Sequence, residues 1–496
     1  MNYLVNKKKM LSFKNILLAL IAAIVLQPSC TAQSPEAAPP AAVLPVPTNP
    51  QMQWHEMELS AFIHFTINTF TDKEWGYGNE SPTLFNPTNV DVDQWVSTLK
   101  DAGFKCVILT AKHHDGFCLW PTKYTEHSIK NSPYKNGKGD IVREVSDACK
   151  KYGMRFGIYL SPWDRNRADY GQPSYIEYYR NQLKELFTSY GPVFEMWFDG
   201  ANGGDGYYGG ANEKRRINGA TYYDWPTTLQ IVRSMQPDVI FFSDSGPGVR
   251  WCGNEIGVIG ETNWNNITPD TLYAGKAGIE SLLNTGAENG THWIPGEVDT
   301  SIRPGWFYHA KEDSLVKTPE KLFDIYLTSV GRGSTLLLNV PPDRRGVFHE
   351  NDVKSLAGLR RKLDAAFGNN LARRAKVEAG SYRGKSKTYS PMNVTDQDKE
   401  TYWTTDDGVT TGSLVVNLGS GKQVKYVLLQ EYIRLGQRVK SFNVDVWKDN
   451  DWHTVATGTT VGYKRILPIE PVSTDRIRIN ITSSKACPLM SNVEVY

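Results

Sequence analysis

Several residues capable of catalysis lie where short apolar runs of the chain end. His64 ends one such run, and His113 and His114 follow another. Asp199 comes directly after the run 193–198, where a carboxylate is a candidate nucleophile or metal ligand. A turn cap or a satisfied interior hydrogen bond would explain any one of them. Their repetition at successive run ends indicates a functional site.

Aromatic residues accompany these polar ones. Tyr159 ends a third run, and Trp197 precedes Asp199 by two positions. The chain has 14 Trp and 25 Tyr, and 11% of its residues are aromatic. Indole and phenol rings combine an apolar face with a polar edge, which suits the C–H faces and hydroxyl rims of sugars. A large aromatic core is the plainer explanation of the same composition.

Hydrolysis of a glycosidic bond needs two carboxyl groups, one of them protonated until it donates to the leaving oxygen. Glu255 follows a Trp-Cys-Gly-Asn stretch that would bring an apolar wall close and raise its pKa. Glu261, near Trp264, is the main alternative, and spacing does not separate the two. All candidates for this second carboxyl are Asp244, Glu255, Glu261 and Glu288.

The sequence predicts no metal and no cofactor. Adjacent residues at a strand end point in opposite directions, so we expect His113 and His114 to bind sugar hydroxyls rather than share a metal. The five cysteines after Cys30 lie far apart, without CxxC or zinc-type spacing. Five is an odd number, which excludes a complete disulfide framework; one or two bridges are possible, but buried free thiols are favoured.

The elements that position these residues belong to an α/β domain over residues 51–370. Apolar runs alternate there with amphipathic stretches, which favours a (β/α)8-like (TIM) barrel with its catalytic groups at the carboxyl ends of the strands. An open doubly wound sheet is the alternative, but no GxGxxG follows the first run. The predicted strands are 61–65, 104–109, 154–160, 193–198, 239–242, 258–259 and 335–340.

Residues 371–496 differ from the preceding α/β domain in the pattern of their apolar runs. Short alternating runs are separated there by Gly, Asn and Asp. That pattern is typical of an antiparallel β-sandwich, or jelly roll.

The first 50 residues predict export. Residues 1–33 have the basic start and short apolar run of a signal peptide or lipoprotein signal, followed by a Pro/Ala-rich linker at 34–50. Cleavage after Ala32 would give a soluble protein, whereas lipidation of Cys30 would anchor it. We therefore expect a periplasmic or an outer-membrane or surface-attached location in a bacterium. The net charge of +2 argues against nucleic acid as a partner.

The motifs of residues 51–370 together resemble the α-L-fucosidases of glycoside hydrolase family 29. The resemblance implies a retaining exo-hydrolase of fucosylated oligosaccharides or glycoconjugates, with Asp199 as nucleophile and Glu255 as acid/base. The segments 250–255, 261–264 and 301–309 look like the subgroup that acts on α-1,3/1,4-fucosides. The motifs that carry the resemblance are His64-Phe65, Glu74-Trp75-Gly76, the KHHDGF of 112–117 and the WFDG of 197–200.

The same resemblance implies the residues that hold fucose. The methyl group of this 6-deoxy sugar needs an apolar pocket, and its three free hydroxyls need hydrogen-bond partners. The tryptophans suit the methyl group, and the histidines with Glu74 suit the hydroxyls. The implied binding residues are His64, Glu74, Trp75, His113, His114, Tyr159, Trp197 and Trp306.

Residues 371–496 resemble a discoidin-like (factor 5/8 type C) module, through Tyr402–Asp407, Leu414–Gly419, Trp447 and Trp452. Such modules often bind galactosides and sometimes calcium; a domain that only buttresses the barrel is the alternative. For the whole chain, two other functions stay open. One is a fucose- or galactoside-binding surface protein without catalysis, and the other is a barrel hydrolase of different specificity, such as a β-galactosidase.

Overall fold

A closed barrel of parallel strands forms the first part of the protein. The computed structural model describes residues 37–496. Each barrel strand pairs with the strands before and after it in the chain, and β8 closes the ring against β1. The predicted TIM-like barrel is therefore confirmed. Its strands are β1 (Leu59–Ile63), β2 (Cys106–Lys112), β3 (Arg155–Leu160), β4 (Glu195–Trp197), β5 (Ile240–Ser243), β6 (Val249–Trp251), β7 (Gly296–Ser301) and β8 (Thr335–Asn339).

Helices follow most of these strands. The helix α4 shows how the sequence specifies them: Asp140 accepts a hydrogen bond from the Arg143 N–H at its start, and Gly153 ends it with φ of 68°. The helices are α1 (Asn49–Met57), α2 (Asn68–Thr71), α3 (Val92–Asp101), α4 (Ile141–Tyr152), α5 (Pro173–Ser189), α6 (Trp225–Met235), α7 (Glu280–Thr285), α8 (Pro319–Thr328) and α9 (Glu350–Phe367).

Two strands and one connection differ from the sequence prediction. Neither β6 nor β7 was predicted, because β6 is only three residues long and β7 carries acidic residues on its inward side. The predicted strand at 258–259 is wrong, since those residues lie in a loop. Residues 244–248 join β5 to its parallel neighbour β6 without a helix.

The barrel interior is packed rather than hollow. Side chains from successive strands form one buried cluster inside it, and a larger cluster lies between the strands and the helices. Because strand residues alternate between the two sides, each strand contributes to both clusters. The inner cluster includes Phe62, Ile108, Tyr159, Trp197, Phe242 and Leu337. Its upper members also form the floor of the site described below.

An antiparallel sheet domain follows the barrel, as predicted. Its strands pair in the order β10-β15-β11-β14-β12-β13, with β9 beside β11, and it has a buried core of its own. The two longest strands, β11 and β14, are each 20 residues long. The strands are β9 (Lys376–Ala379), β10 (Trp403–Thr404), β11 (Gly412–Glu431), β12 (Val439–Lys448), β13 (Asp451–Gly458), β14 (Arg465–Ser484) and β15 (Leu489–Val495).

The sheet domain packs against the N-terminal face of the barrel. Lys464 pairs with Glu58, which immediately precedes β1. Arg465 donates a hydrogen bond to the Glu261 carbonyl at 2.8 Å. The Gln437 side chain accepts from the Asn265 N–H at 2.9 Å. These contacts lie at the opposite end of the strands from the predicted site.

The N-terminal segment is described from residue 37 onward. Within the predicted linker, Arg438 donates to the Ala41 carbonyl at 2.7 Å and the Val43 N–H donates to the Leu435 carbonyl at 2.9 Å. This part of the linker therefore lies along the sheet domain. The predicted signal, with Cys30, falls outside the described residues. Among residues 37–496, no helix has both the length and the apolarity to cross a bilayer.

Candidate active site

A cavity of about 530 Å³ opens at the carboxyl ends of the barrel strands. Of the ten residues that the sequence analysis assigns to the site, nine line this cavity and Glu74 does not. The fold thus brings together side chains spread over more than 240 positions of sequence, from Phe62 to Trp306. The lining residues are Phe62, His64, Trp75, His113, His114, Tyr159, Trp197, Asp199, Gly200, Ala201, Asp244, Trp251, Glu255, Gly275, Asp299 and Trp306.

Asp199 lies two residues beyond β4, and its side chain is 24% exposed. Its Oδ2 accepts a hydrogen bond from the Tyr159 hydroxyl at 2.8 Å, and its Oδ1 accepts from the Ala201 N–H at 2.7 Å. Burial and the charge of Asp199 raise the pKa of Tyr159 well above its usual value, so the phenol keeps its proton and donates. Two fixed donors hold the carboxylate in one orientation at the cavity wall.

Glu255 lies at the cavity mouth, on the loop that follows β6. The Trp306 Nε1–H donates to its Oε2 at 3.2 Å. The pKa of Glu255 is raised, mainly by partial burial and further by the negative charges of Asp199 and Glu74. The hydrogen bond from Trp306 lowers the pKa, but not enough to cancel these effects. A carboxyl that keeps its proton more readily than usual, in the same cavity as Asp199, has the properties of a general acid.

We call His64, His113 and His114 the histidine wall of the cavity. The prediction that His113 and His114 point apart is wrong, because both rings line the cavity, with centroids 4.1 Å apart. The strand β2 ends at Lys112, and a turn closed by a hydrogen bond from Gly116 N–H to the His113 carbonyl follows. Strand alternation therefore no longer applies to this pair.

Burial keeps the histidine wall uncharged. It lowers the pKa of His64 to about 3 and that of His114 to about 4, and it lowers the pKa of His113 strongly as well. His64 Nδ1 donates to Asn339 Oδ1 at 2.8 Å, and His114 Nδ1 donates to Ser161 Oγ at 2.7 Å. Because Nδ1 carries the proton in His64 and His114, these two neutral rings present Nε2 as an acceptor for a hydroxyl group. No group of three metal-binding side chains occurs between residues 37 and 496.

Two tryptophans of the cavity are held by acidic residues that the sequence analysis does not identify. Trp197 Nε1 donates to Glu297 Oε1 at 3.0 Å, and Trp251 Nε1 donates to Asp299 Oδ1 at 2.9 Å. Glu297 and Asp299 are two apart on β7, so both face the barrel interior. Burial raises the pKa of Glu297 to about 7 and that of Asp299 well above its usual value. Two acids at i and i+2 in an otherwise buried strand are the signal that could have identified them.

Glu74 is not among the residues that line the cavity, although its side chain is 38% exposed. Its carboxylate accepts from the backbone N–H groups of Trp306 and Phe307 at 2.8 and 3.1 Å, and its Oε1 lies 2.7 Å from His309 Nε2. Glu74 therefore fixes the loop that carries Trp306. Its neighbour Trp75 does line the cavity, and it is 53% exposed at the rim.

The other carboxyl candidates fall into two groups. Glu261 is 74% exposed, does not line the cavity, and pairs with Arg332. Glu288 pairs with Lys440 of the sheet domain. Asp244, in contrast, lines the cavity beside Asp199. The structure therefore separates Glu255 from Glu261, which sequence spacing does not.

A parallel barrel with several acidic side chains, uncharged histidines and tryptophans around one cavity at its strand ends is the architecture of a glycoside hydrolase. The α-L-fucosidase family model matches residues 43–365, and the F5/8 type C domain model matches residues 376–494. The chain belongs to the α-L-fucosidases of glycoside hydrolase family 29 and carries a discoidin-like C-terminal domain. This assignment favours the hydrolase over a sugar-binding protein without catalysis and over a β-galactosidase.

Similar proteins agree with the family. α-L-Fucosidase 1 of Arabidopsis thaliana is 40% identical over 462 residues, which cover 92% of this chain and 88% of that protein. A family 29 glycoside hydrolase from a rumen bacterium aligns with a TM-score of 0.82 at 43% identity, over 92% of this chain and 78% of that one. A Ruminococcus gnavus family 29 fucosidase in complex with fucose aligns with a TM-score of 0.84 at 35% identity, over 93% and 97%.

Proposed function

We propose that this α-L-fucosidase releases terminal fucose with retention of configuration, by double displacement at Asp199 and Glu255. The observation that carries the proposal is that one cavity holds a carboxylate oriented by two donors and a second carboxyl whose pKa is raised. In a retaining glycosidase the first is the nucleophile and the second is the acid/base.

In the first step, Asp199 bonds to the anomeric carbon while Glu255 donates its proton to the departing glycosidic oxygen. Asp199 loses its negative charge when this bond forms. The hydrogen bond from Tyr159 therefore weakens, because an ester oxygen is a weaker acceptor than a carboxylate oxygen. In the second step, Glu255, now ionised, removes a proton from water, and the water oxygen replaces Asp199 on the anomeric carbon. Fucose leaves with its original configuration.

Substitution of the two carboxyls tests this mechanism. The Asp199→Ala variant should lose turnover of an aryl α-L-fucoside by about 10⁴-fold or more while still binding fucose. Azide added to Asp199→Ala should give the β-fucosyl azide, and azide added to Glu255→Ala should give the α-fucosyl azide. Proton NMR of the wild-type reaction should show α-L-fucose before mutarotation. A β-anomer as first product, or full activity in Asp199→Ala, would exclude the mechanism.

We propose further that the preferred substrates are branched α-1,3/1,4-fucosides. The segments 250–255, 261–264 and 301–309 support this preference by their likeness to that subgroup. In the fold, Trp251, Glu255 and Trp306 from these segments all line the cavity. Initial rates on Lewis-type trisaccharides and on a linear 2′-fucosylated trisaccharide test the proposal directly. Faster release from the linear substrate would contradict it.

We also propose that the protein is exported, with residues 1–33 acting as the signal. The support is the basic start and the apolar run of this segment. Cell fractionation of the full chain would test export, and metabolic labelling with palmitate in the wild type and in Cys30→Ala would test lipidation. Label retained in Cys30→Ala would exclude an anchor at that residue, and enzyme found only in the cytoplasm would exclude export.

A further inference from the structure

Two carboxyls of the cavity, Asp244 and Asp299, have no part in the mechanism above, and only Asp299 already accepts a hydrogen bond from an indole of the cavity. Asp244 lies just beyond β5 and lines the cavity with Asp199 and Glu255. Its Oδ2 accepts a hydrogen bond from the Gly275 N–H at 2.6 Å. A carboxylate has about four acceptor positions, so this one bond leaves Asp244 free to accept hydrogen bonds from a bound molecule.

The position of Asp244 is fixed from two sides. A Cβ atom at Gly200 would overlap the Asp244 carboxyl, and a Cβ atom at Gly275 would overlap the Gly200 carbonyl oxygen. The backbones next to Asp199 and in the loop at 275 therefore pack closely around this side chain, which requires glycine at both positions. Such packing holds a carboxyl in place before any ligand arrives, which lowers the entropic cost of binding.

The circular order of the strands places Asp244 relative to the scissile bond. Because neighbouring strands are consecutive in the chain, the histidine wall on β1 and β2 lies on one side of the mouth. Asp199, Asp244 and Glu255 follow β4, β5 and β6 in turn farther round the ring, and Asp199 Oδ2 lies 3.8 Å from His114 Nε2. Asp244 thus lies between the group that attacks the anomeric carbon and the group that protonates the leaving oxygen. If Glu255 protonates the glycosidic oxygen, the Glu255 side of Asp199, where Asp244 lies, is the side of the leaving sugar.

We propose that Asp244 is a specificity-determining residue that accepts hydrogen bonds from hydroxyl groups of the sugar to which fucose is attached. The inference rests on the proposed roles of Asp199 and Glu255, because they define where the leaving group lies. The pKa of Asp244 is raised to about 6, mainly by burial and also by the charge of Asp199, while the Gly275 hydrogen bond acts in the opposite direction. At neutral pH the carboxyl is ionised and accepts. A leaving group without hydroxyls, such as an aryl group, gains nothing from it.

Two substrates separate this role from a structural one. The kcat/KM values of Asp244→Ala and Asp244→Asn should be measured on an aryl α-L-fucoside and on a fucosylated trisaccharide. For Asp244→Ala we expect the trisaccharide value to fall about 10- to 100-fold, the effect of losing hydrogen bonds to a charged group, while the aryl fucoside value stays within about threefold. Asp244→Asn keeps the shape and an acceptor for the Gly275 N–H, so it preserves the fold and should show a smaller selective loss.

The controls make each outcome decisive. Glu261→Gln removes an exposed carboxylate outside the cavity, and it should leave both rates unchanged. Equal losses on both substrates in Asp244→Asn would overturn the inference, because they would place Asp244 at the reaction centre. No loss on either substrate would overturn it as well. Asp199→Ala in the same assays reports on the mechanism separately, because turnover retained there contradicts the proposed function whatever the Asp244 variants do.

Discussion

The hydrogen bond between Trp306 and Glu255 makes the pH profile of the enzyme predictable. The Trp306 indole donates to the carboxylate form of Glu255 and so lowers its pKa. The Trp306→Phe substitution keeps an aromatic wall and removes this donor. Glu255 then holds its proton to higher pH. Since Glu255 must be protonated to act as the proposed general acid, the alkaline limb of kcat/KM should move to higher pH.

The size of the shift follows from the geometry. A hydrogen bond to a charged group contributes about 1.5–3 kcal/mol when well formed and buried. This one is 3.2 Å long and lies at the open mouth, so solvent screening reduces it to about 0.7 kcal/mol. At about 1.4 kcal/mol per pKa unit, the limb should move by about half a unit.

The assay is kcat/KM of an aryl α-L-fucoside between pH 4 and 9. Trp251→Phe is the matched control, because the Trp251 indole donates to Asp299 and not to Glu255. Trp251→Phe should change KM without moving the alkaline limb. An unmoved limb in Trp306→Phe, or equal movement in both variants, would refute the assignment of Glu255 as the acid.

Three further outcomes follow from buried groups. Glu297→Leu leaves the Trp197 indole without its acceptor and should lower the free energy of unfolding by about 1–3 kcal/mol. Glu297→Gln keeps an acceptor and should lower it less. Equal melting temperatures of the two variants would contradict this prediction. Glu58→Gln leaves the buried charge of Lys464 without its partner, and we expect a loss of about 3–5 kcal/mol; unchanged thermal unfolding would exclude that importance. The buried rings of the histidine wall stay unprotonated at pH 5 in the folded protein, whereas histidines of the unfolded chain take up protons below about pH 6.5. The free energy of unfolding should therefore fall as the pH drops from 6.5 towards 4. A melting temperature that is the same at pH 7 and pH 5 would contradict this prediction.

The barrel could be predicted from sequence because most of its strands are continuous apolar runs. The strand β2 is buried along its whole length and reads clearly as such. The strand β7 is buried as completely, but its sequence GEVDTS carries Glu297 and Asp299. Their partners are indoles from β4 and β6, which only the closed barrel brings near. The spacing of the two acids marks their shared side of the strand, but it does not indicate their partners, which lie some 50 to 100 positions away.

The sequence predicts which residues belong to the site better than it predicts how their side chains are arranged. Motifs at strand ends identified Asp199 and the histidine pair as neighbours in one cavity. They did not identify the turn that aims both histidines inward, because it depends on where β2 stops. They also predict that Glu74 binds sugar, which stays a prediction, but they do not indicate that its carboxylate holds the Trp306 loop. The difference between a binding residue and its support depends on contacts that are distant in sequence.

The position of the sheet domain decides how the enzyme can be immobilised. Its contacts with the barrel, from Lys464 and Arg465, lie at the N-terminal ends of the strands, whereas the candidate active site lies at their carboxyl ends. Tyr496, the last residue of the sequence, donates its N–H to the Tyr426 carbonyl and so belongs to the same domain. A resin linkage or a fluorescent tag fused there would leave the entrance pointing outward, so even fucose on a bulky glycoprotein could still reach it.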